Sequence, residues 1–559
     1  MKRAAAFITA LVLVLSFSAC SASETSEKKG SSSEVVTLSE KNGTEESAGY
    51  AEKLFGGEVL DISIETTADD WSYLMENAAS KPWISGNITV NGTTLENVGI
   101  KTKGNTSLNQ LPDDSQRYSL KINFGKYEDG QTCFGLDKLV LNNLYSDSTY
   151  LKEYLSYDLF RFMDVPASLC TFAKITVNGE YYGFFIAIED TDDSFIERNY
   201  GTDSGVTAYK PESMDMGGFG KGGGKPDLGD MPDGFDPENM QLPDGFDPEE
   251  MKKKFGQTGE DGERPEMPGG FGDGKNFMMN GGRDGVSLVY TDDSADSYSN
   301  IFDNDLTKTT EEEHERLIAS LKAISEGKDL ESCINVDEVL RYTACNVFLV
   351  NLDSYFSMMG HNYVLTESDG VLSMLPWDYN LSFGTYQGES ADSVINYAVD
   401  TVFNGVSAED RPIIGKLLEK EEYREKYHEY LRQIAEEYIQ SGLFSAKLDQ
   451  LNSLIGSYVE SDTTSFDGYD AYCEGIDALK LFGQLRAQSV LGQLDGSIPS
   501  TTEEQKNSDS LVDASSLDMK KLGQMNMGMR GGKGFGRKKD RTDSADSTES
   551  KEDKDSTES

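Results

Sequence analysis

Three short runs in the second half of the chain carry side chains whose types and spacing could do chemistry. They are Asn351-Leu352-Asp353-Ser354, His361-Asn362-Tyr363 and Pro376-Trp377-Asp378-Tyr379-Asn380. Two carboxylates and a carboxamide fall within 26 residues, on what reads as a helix end, a loop and a strand end. Phosphoryl transfer asks for this set: one carboxylate to orient the acceptor hydroxyl, and an Asn and a second Asp to hold the metal ions that bridge nucleotide phosphates. The order Asp, Asn, Asp is that of a protein-kinase catalytic loop and metal-binding Asp, although the spacing is not that of the ordinary kinase motifs. Asp and Asn are also common turn residues. Two polar turns around a buried strand would look the same.

The elements that must position these groups read as mixed α and β in the first half and helical in the second. Residues 59–64 alternate as a half-buried strand, and Thr67 followed by acids opens a helix to about Ala79. Ile88 to Leu95 reads as a hairpin turning at Asn91-Gly92, and a second Asn-Gly turn at Asn178-Gly179 joins the strands 172–177 and 182–189. Residues 118–124 alternate around Lys121, and Tyr150 to Met163 is amphipathic at helical spacing. In the second half, 309–326 and 336–350 read as helices and Tyr363 to Leu375 as a hairpin. Further amphipathic helices run from 408 to 494. The latter hairpin carries Asn362 at its start and Asp378 past its end, facing Asp353 at a helix exit.

These runs resemble those of the spore coat protein H kinases, atypical secreted or surface-bound protein kinases. The resemblance covers roughly residues 57 to 490 and includes Val98-Gly99-Ile100-Lys101-Thr102-Lys103-Gly104-Asn105-Thr106-Ser107. It continues through the stretch from Leu141-Asn142-Asn143 to Asp147 and through Asn178-Gly179-Glu180-Tyr181-Tyr182-Gly183. It implies ATP with Mg²⁺ or Mn²⁺ as cofactors and a protein substrate modified on Ser or Thr. It implies Asp353 as the catalytic Asp and Asp378 as the metal-binding Asp. Asn362 follows as the second metal ligand, since amide and carboxylate oxygens suit such ions. The expected fold is α+β, an atypical protein-kinase-like two-lobed arrangement with a β-rich N-lobe, a mainly helical C-lobe and a disordered insertion.

Strand, Gly-containing turn, Lys-bearing strand, helix and hairpin is the element order of a kinase N-lobe. On that mapping Gly104, Asn105 and Ser107 belong to the turn over the phosphates. Lys121 holds the phosphates and is oriented by Glu153, with Asp158 as second choice. Ile188-Glu189-Asp190 forms the hinge that meets the adenine, so Glu189 joins the nucleotide-binding set. Lys103 competes with Lys121; the latter is preferred because its strand is taken to lead directly into the helix. His361 reads as structural, with no triad partner in view, and Ser354 lacks one too. Paired acids alone would also suit glycoside hydrolysis, but the Lys-bearing strands and the intervening Asn would then have no purpose.

Met1-Lys2-Arg3 and the apolar stretch to Ser16 read as an export signal rather than a membrane span. Ser18-Ala19-Cys20 then resembles a lipoprotein cleavage box, which makes Cys20 the lipidated first residue on the outer face of a cell membrane. An ordinary signal peptide cut at small residues is the alternative. The expected organisation is a signal over 1–20, a tether over 21–50, an N-lobe over 57–211, an insertion over 212–284, a C-lobe over 285–494 and a tail over 495–559. The insertion contains a near-repeat, Met231 to Met240 echoed by Leu242 to Met251, too few copies for a solenoid. Its Gly-rich composition and the polar tail both suggest disorder. The five later cysteines show no metal-ligand spacing. A net charge of −47, from 98 acidic and 51 basic residues, argues against nucleic acid as a partner. It also requires lysines to gather wherever an anion binds. A non-catalytic surface adhesion or coat-assembly scaffold is the competing class.

Overall fold

A computed structural model of the protein describes residues 49–523 apart from 105–107, 109, 113–114, 213–283 and 389. Cys20, the signal, nearly all of the tether and insertion, the tail beyond 523, and the phosphate-turn residues Asn105 and Ser107 lie outside the described residues.

The first part is a β-structure with helices laid on it. Helix α1 (Gly49–Phe55) precedes β1 (Leu60–Glu65), α2 (Ala68–Glu76), β2 (Ile84–Val90), β3 (Thr93–Lys103), β4 (Ser119–Asn123) and β5 (Lys138–Asn142). Helix α3 (Lys152–Phe162) and the strands β6 (Cys170–Val177) and β7 (Glu180–Glu189) follow, then α4 (Asp193–Tyr200). The strands close on themselves in the order β1-β2-β3-β4-β5-β7-β6, with β6 parallel to β1 as the closing pair. Closure is the physical difference from the expected lobe: a sheet joined edge to edge leaves no free ladder. Alternate residues fill the interior, among them Ile62, Ile88, Ile100, Leu120, Leu139 and Phe185. The residues between them face outward. Both Asn-Gly turns form as expected, with Asn91 and Asn178 at φ 47° and 50° ahead of glycines at positive φ.

The second part is helical around a small sheet. Strand β8 (Thr207–Tyr209) pairs with β9 (Tyr363–Ser368), which pairs with β10 (Val371–Pro376). A strand placed before the insertion therefore belongs with one after it, and the expected lobe boundary at 211 falls too late. Helices α5 (Glu311–Ser325), α6 (Val336–Leu349), α7 (Glu421–Gln433), α8 (Leu443–Ser461) and α9 (Tyr469–Asp495) complete the part. Thr310 opens α5 with a reciprocal capping box to Glu313. Among the described residues no helix is long and apolar enough to cross a membrane.

Both ends of the described chain are packed, against the expected boundaries. Tyr50 is buried and donates its hydroxyl to Glu189. Ile498, Val512, Ala514, Leu517, Met519 and Leu522 are buried too, so the tail folds onto the body as far as Gly523. Their irregular spacing gives no helical or strand period, which hid them in the sequence. Gly475 of α9 makes the contact possible, since a Cβ there would lie 2.9 Å from the Lys521 carbonyl oxygen.

Two buried arginines clamp the fold, Arg117 across the two parts and Arg486 within the helical one. Arg117, just before β4, is 3% exposed and reaches Asp462 between α8 and α9 at 2.6 Å, while donating to the Asn143 and Phe184 carbonyls. Arg486 of α9 is fully buried and donates to the carbonyls of Val347, Phe348, Ile395 and Tyr397. Two of those carbonyls end α6, where a cation complements the helix dipole. Arg117→Ala should leave the Asp462 charge buried without its partner, at a cost of about 3–5 kcal/mol. A denaturant-midpoint shift worth well under about 1 kcal/mol would show that the pair is not what holds the two parts.

Candidate active site

Helix α6 delivers the first acid. It stops at Leu349 because Val350 takes a left-handed conformation at φ 48°, a costly one for a β-branched residue. The chain is held there by Phe383 and Gly384, whose N–H groups bond to the carbonyls of Leu349 and Val350 at 2.7 and 3.2 Å. The segment after Asp378 thereby registers against the segment before Asp353. Asp378 and Asn362 also sit at φ 58° and 57°. Left-handed residues other than glycine persist only where their surroundings hold them, and they cluster at functional sites.

Asp353, His361 and Asn362 meet. His361 Nε2 lies 2.6 Å from Asp353 Oδ1, and the Asn362 amide donates to Asp353 Oδ2 at 3.0 Å and to its carbonyl at 2.8 Å. His361 thus has the partner that sequence reasoning did not find for it. Burial alone would lower its pKa; the hydrogen bond and charge of Asp353 outweigh burial and raise it above the ordinary value. With its nitrogen spent on Asp353, Asn362 keeps its Oδ1 as an acceptor.

The barrel supplies the other side. Lys103 at the end of β3 donates to Asn142 Oδ1 at 3.2 Å, and Asn142 Nδ2 donates to Glu153 Oε2 at 2.9 Å. Tyr157, one helical turn after Glu153, donates to Glu153 Oε1 at 3.2 Å and accepts from the Asp378 N–H at 3.1 Å. A continuous hydrogen-bonded chain therefore runs from Lys103 through Asn142, Glu153 and Tyr157 to Asp378. Lys103 and Lys210 also stand over the Trp377 ring, 5.4 and 5.1 Å from its centroid. Burial, and then the Asp378 charge, push the buried Glu153 carboxyl up to about 7. Asp147 fixes the helix that carries it, accepting from the backbone of Lys152 and Thr149 at 3.0 Å each.

Several expected roles move. Lys121 pairs with Asp190, not with Glu153. Strand β5, which the short run Lys138 to Asn142 did not announce, lies between β4 and α3. It removes the reason for preferring Lys121, and Lys103 is the lysine that reaches the acids. Asp158 faces away, bonded to Tyr438 at 2.8 Å and paired with Lys447 at 3.3 Å. Glu189 offers no ligand group: it is fully buried, accepts two bonds from Arg198 at 2.6 and 2.8 Å, and takes the Leu169 N–H at 2.9 Å. Gly104 stands at φ 109°, a conformation for glycine, directly after Lys103. Asn142, Tyr157, Trp377 and Lys210 had not been assigned roles. Tyr157 at i+4 from Glu153 and Trp377 beside Asp378 were the available signals.

Among the described residues no three His, Cys, Asp or Glu side chains form a metal cage. Magnesium and manganese need none, since one or two carboxylates plus phosphate and water oxygens suffice for Mg²⁺. The Asp378 carboxylate accepts no hydrogen bond from any described residue, and the Asn362 Oδ1 is turned from Asp353, so this donor set fits a hard divalent ion. Because native Glu153 keeps a proton that the unfolded chain releases at about pH 4.5, its contribution to stability is full below that pH. It is lost as pH rises through about 7. Glu153→Gln should therefore gain stability relative to the parent between pH 5 and 8. Equal melting-temperature differences at both ends would remove the assigned shift.

Among curated proteins none matches the chain. The family model described as CotH kinase protein matches residues 100–490, from β3 with Lys103 through the runs that carry Asp353, Asn362 and Asp378 to α9. The chain belongs to the CotH kinase protein family.

Proposed function

We propose that the protein is an atypical protein kinase, anchored through Cys20 to the outer face of a cell membrane, that phosphorylates Ser or Thr of surface or secreted proteins with ATP. The observation that carries this reading is the hydrogen-bonded chain from Lys103 to Asp378. It couples a strand lysine after a glycine turn to a helix glutamate and then to an acid of the helical part, which is the connectivity a phosphate-holding site needs. Family membership supports it.

In this reading Lys103, oriented by Asn142 and Glu153, holds nucleotide phosphates, with Lys210, paired with Glu212, over the same Trp377 ring. Asp378 and Asn362 hold the metal. A divalent cation held by these two side chains would supply positive charge against that of the phosphate groups. Asp353, kept in place by His361 and Asn362, orients the acceptor hydroxyl and takes its proton. The hydroxyl oxygen forms a bond to the γ-phosphorus as the bond to the β-bridging oxygen breaks and ADP leaves.

The competing reading, a non-catalytic surface scaffold, has one observation on its side: both Asp353 oxygens already accept hydrogen bonds. Activity separates the two. Asp378→Ala and Lys103→Met should each reduce metal-dependent phosphate transfer by about 10²–10³-fold while the protein stays folded. Lys121→Met should stay within several-fold of the parent. Full transfer by the Asp378 variant, or no nucleotide-dependent thermal stabilisation of the parent with Mg²⁺ or Mn²⁺, would leave the scaffold. Cys20→Ser should abolish incorporation of labelled fatty acid and release the protein from membranes. Unchanged labelling of that variant would refute the anchor.

A further inference from the structure

One carboxylate beside the candidate site is turned toward cations of that site. Strand β8 runs antiparallel to β9 with Tyr209 opposite Leu365. The chain leaving β8 therefore heads for the start of β9, which His361 and Asn362 precede. Two charged residues lie on that exit, Lys210 and Glu212, and the backbone of each is pinned. The Lys210 N–H donates to the Asn304 carbonyl at 2.9 Å and the Glu212 N–H to the Asn300 carbonyl at 3.2 Å. Pro211 between them is buried, and its ring restricts φ.

Lys210 donates to Glu212 Oε1 at 2.6 Å while its Nζ stands over the Trp377 ring, next to Asp378. Lys103 stands over the same ring but donates to the amide oxygen of Asn142. One lysine is thus held by a carboxylate and the other by a neutral group. Burial would raise the Glu212 pKa; the charge and hydrogen bond of Lys210, then the charges of Lys81 and His361, outweigh burial and lower it. Cations from three separate segments act on this carboxylate: the exit of β8, the turn before β2 and the loop before β9. The Lys210 and Glu212 side chains are 25% and 44% exposed, and an ion pair so open to water holds weakly. A phosphate group brings more charge and more acceptor oxygens than a carboxylate, so it outcompetes Glu212 for Lys210.

We propose that Glu212 is an internal competitor for the anionic substrate. Its carboxylate occupies Lys210 over Trp377, and nucleotide phosphates gain Lys210 by displacing it. The contact is self-inhibitory and sets the phosphate affinity of the site from within the chain. Acids elsewhere on the surface act through screening water, whereas Glu212 acts in direct contact with the lysine concerned. The inference rests on the kinase reading for the identity of the phosphate ligand, but not for the exchange of partners at Lys210.

The test titrates the full chain with Mg-ATP and, separately, with magnesium tripolyphosphate, and reads binding by calorimetry without requiring transfer. Glu212→Gln should tighten both ligands about three- to fivefold at low salt, and the gain should shrink as salt is added. Lys210→Met should weaken both about tenfold. The double variant Lys210→Met with Glu212→Gln should bind as Lys210→Met does, because the competitor has nothing left to compete for. Glu326→Gln, at an exposed acid paired with Lys328 on the helical part, should bind as the parent does. Unchanged or weaker binding by Glu212→Gln overturns the proposal. So does a gain that persists without Lys210, or one that Glu326→Gln reproduces, since either would be an effect of net charge. If Glu212→Gln tightens both ligands through Lys210 but the parent transfers no phosphate, the internal competitor stands and the kinase reading falls. If neither the parent nor Glu212→Gln binds either ligand, both fall.

Discussion

Burial of Glu153 between two differently built halves is the constraint on which the site depends. A carboxyl group that loses its water must have its oxygens satisfied by protein groups. Asn142 from the barrel and Tyr157 from the same helix do this, and each passes the connection on, to Lys103 and to Asp378. Neither end of the chain can move without leaving a buried polar group unsatisfied. Such a network is worth more intact than the sum of its bonds, and costs more when broken. The helix that carries Glu153 is itself pinned. Asp147 caps it, and the buried Lys152 donates to the Ser146 carbonyl, to Thr385 and to the Gly523 carbonyl at the end of the described chain.

The same logic of burial governs the approach of the runs that carry Asp353, Asn362 and Asp378. Asp353 follows a helix whose last carbonyls are taken by Arg486 and by the N–H groups of Phe383 and Gly384. Asp378 and Asn362 are held in left-handed conformations by a hairpin and by their hydrogen bonds. Arg411 adds a further clamp, donating to the Tyr355 and Ser357 carbonyls at 2.6 Å each, just beyond Asp353. Charge is then sorted by place. Lys101, Lys121 and Lys126 lie near one another on the barrel, within a chain whose net charge is −47.

Much of the local structure was legible. Asn-Gly pairs specify hairpin turns because both central residues need positive φ. Thr67 and Thr310 mark helix starts because their hydroxyls satisfy free N–H groups. The spacing of Asp353, Asn362 and Asp378 brought out a site, and the structure brings Asp353 and Asn362 into contact and joins Asp378 to Glu153 through Tyr157. Less legible were β5, whose five residues carry too short a pattern, and the packed segment 498–522, whose apolar residues follow no period. Glu189 looked like a hinge residue by position; its ion pair with Arg198, nine residues on, depends on how α4 folds back.

The sequence by itself determined the turns, the helix caps, the alternation that separates barrel interior from exterior, and the types of side chain available for chemistry. These are decided by a few neighbouring residues. Only the tertiary structure decided that the strands close into a barrel, that Lys103 rather than Lys121 connects to Glu153, through Asn142, and that His361 belongs to Asp353. Such pairings depend on which strand intervenes between two others and on which face a residue shares with a distant one. Side-chain alternation tells a lysine that it points outward, but it cannot tell which of two outward lysines stands beside the helix.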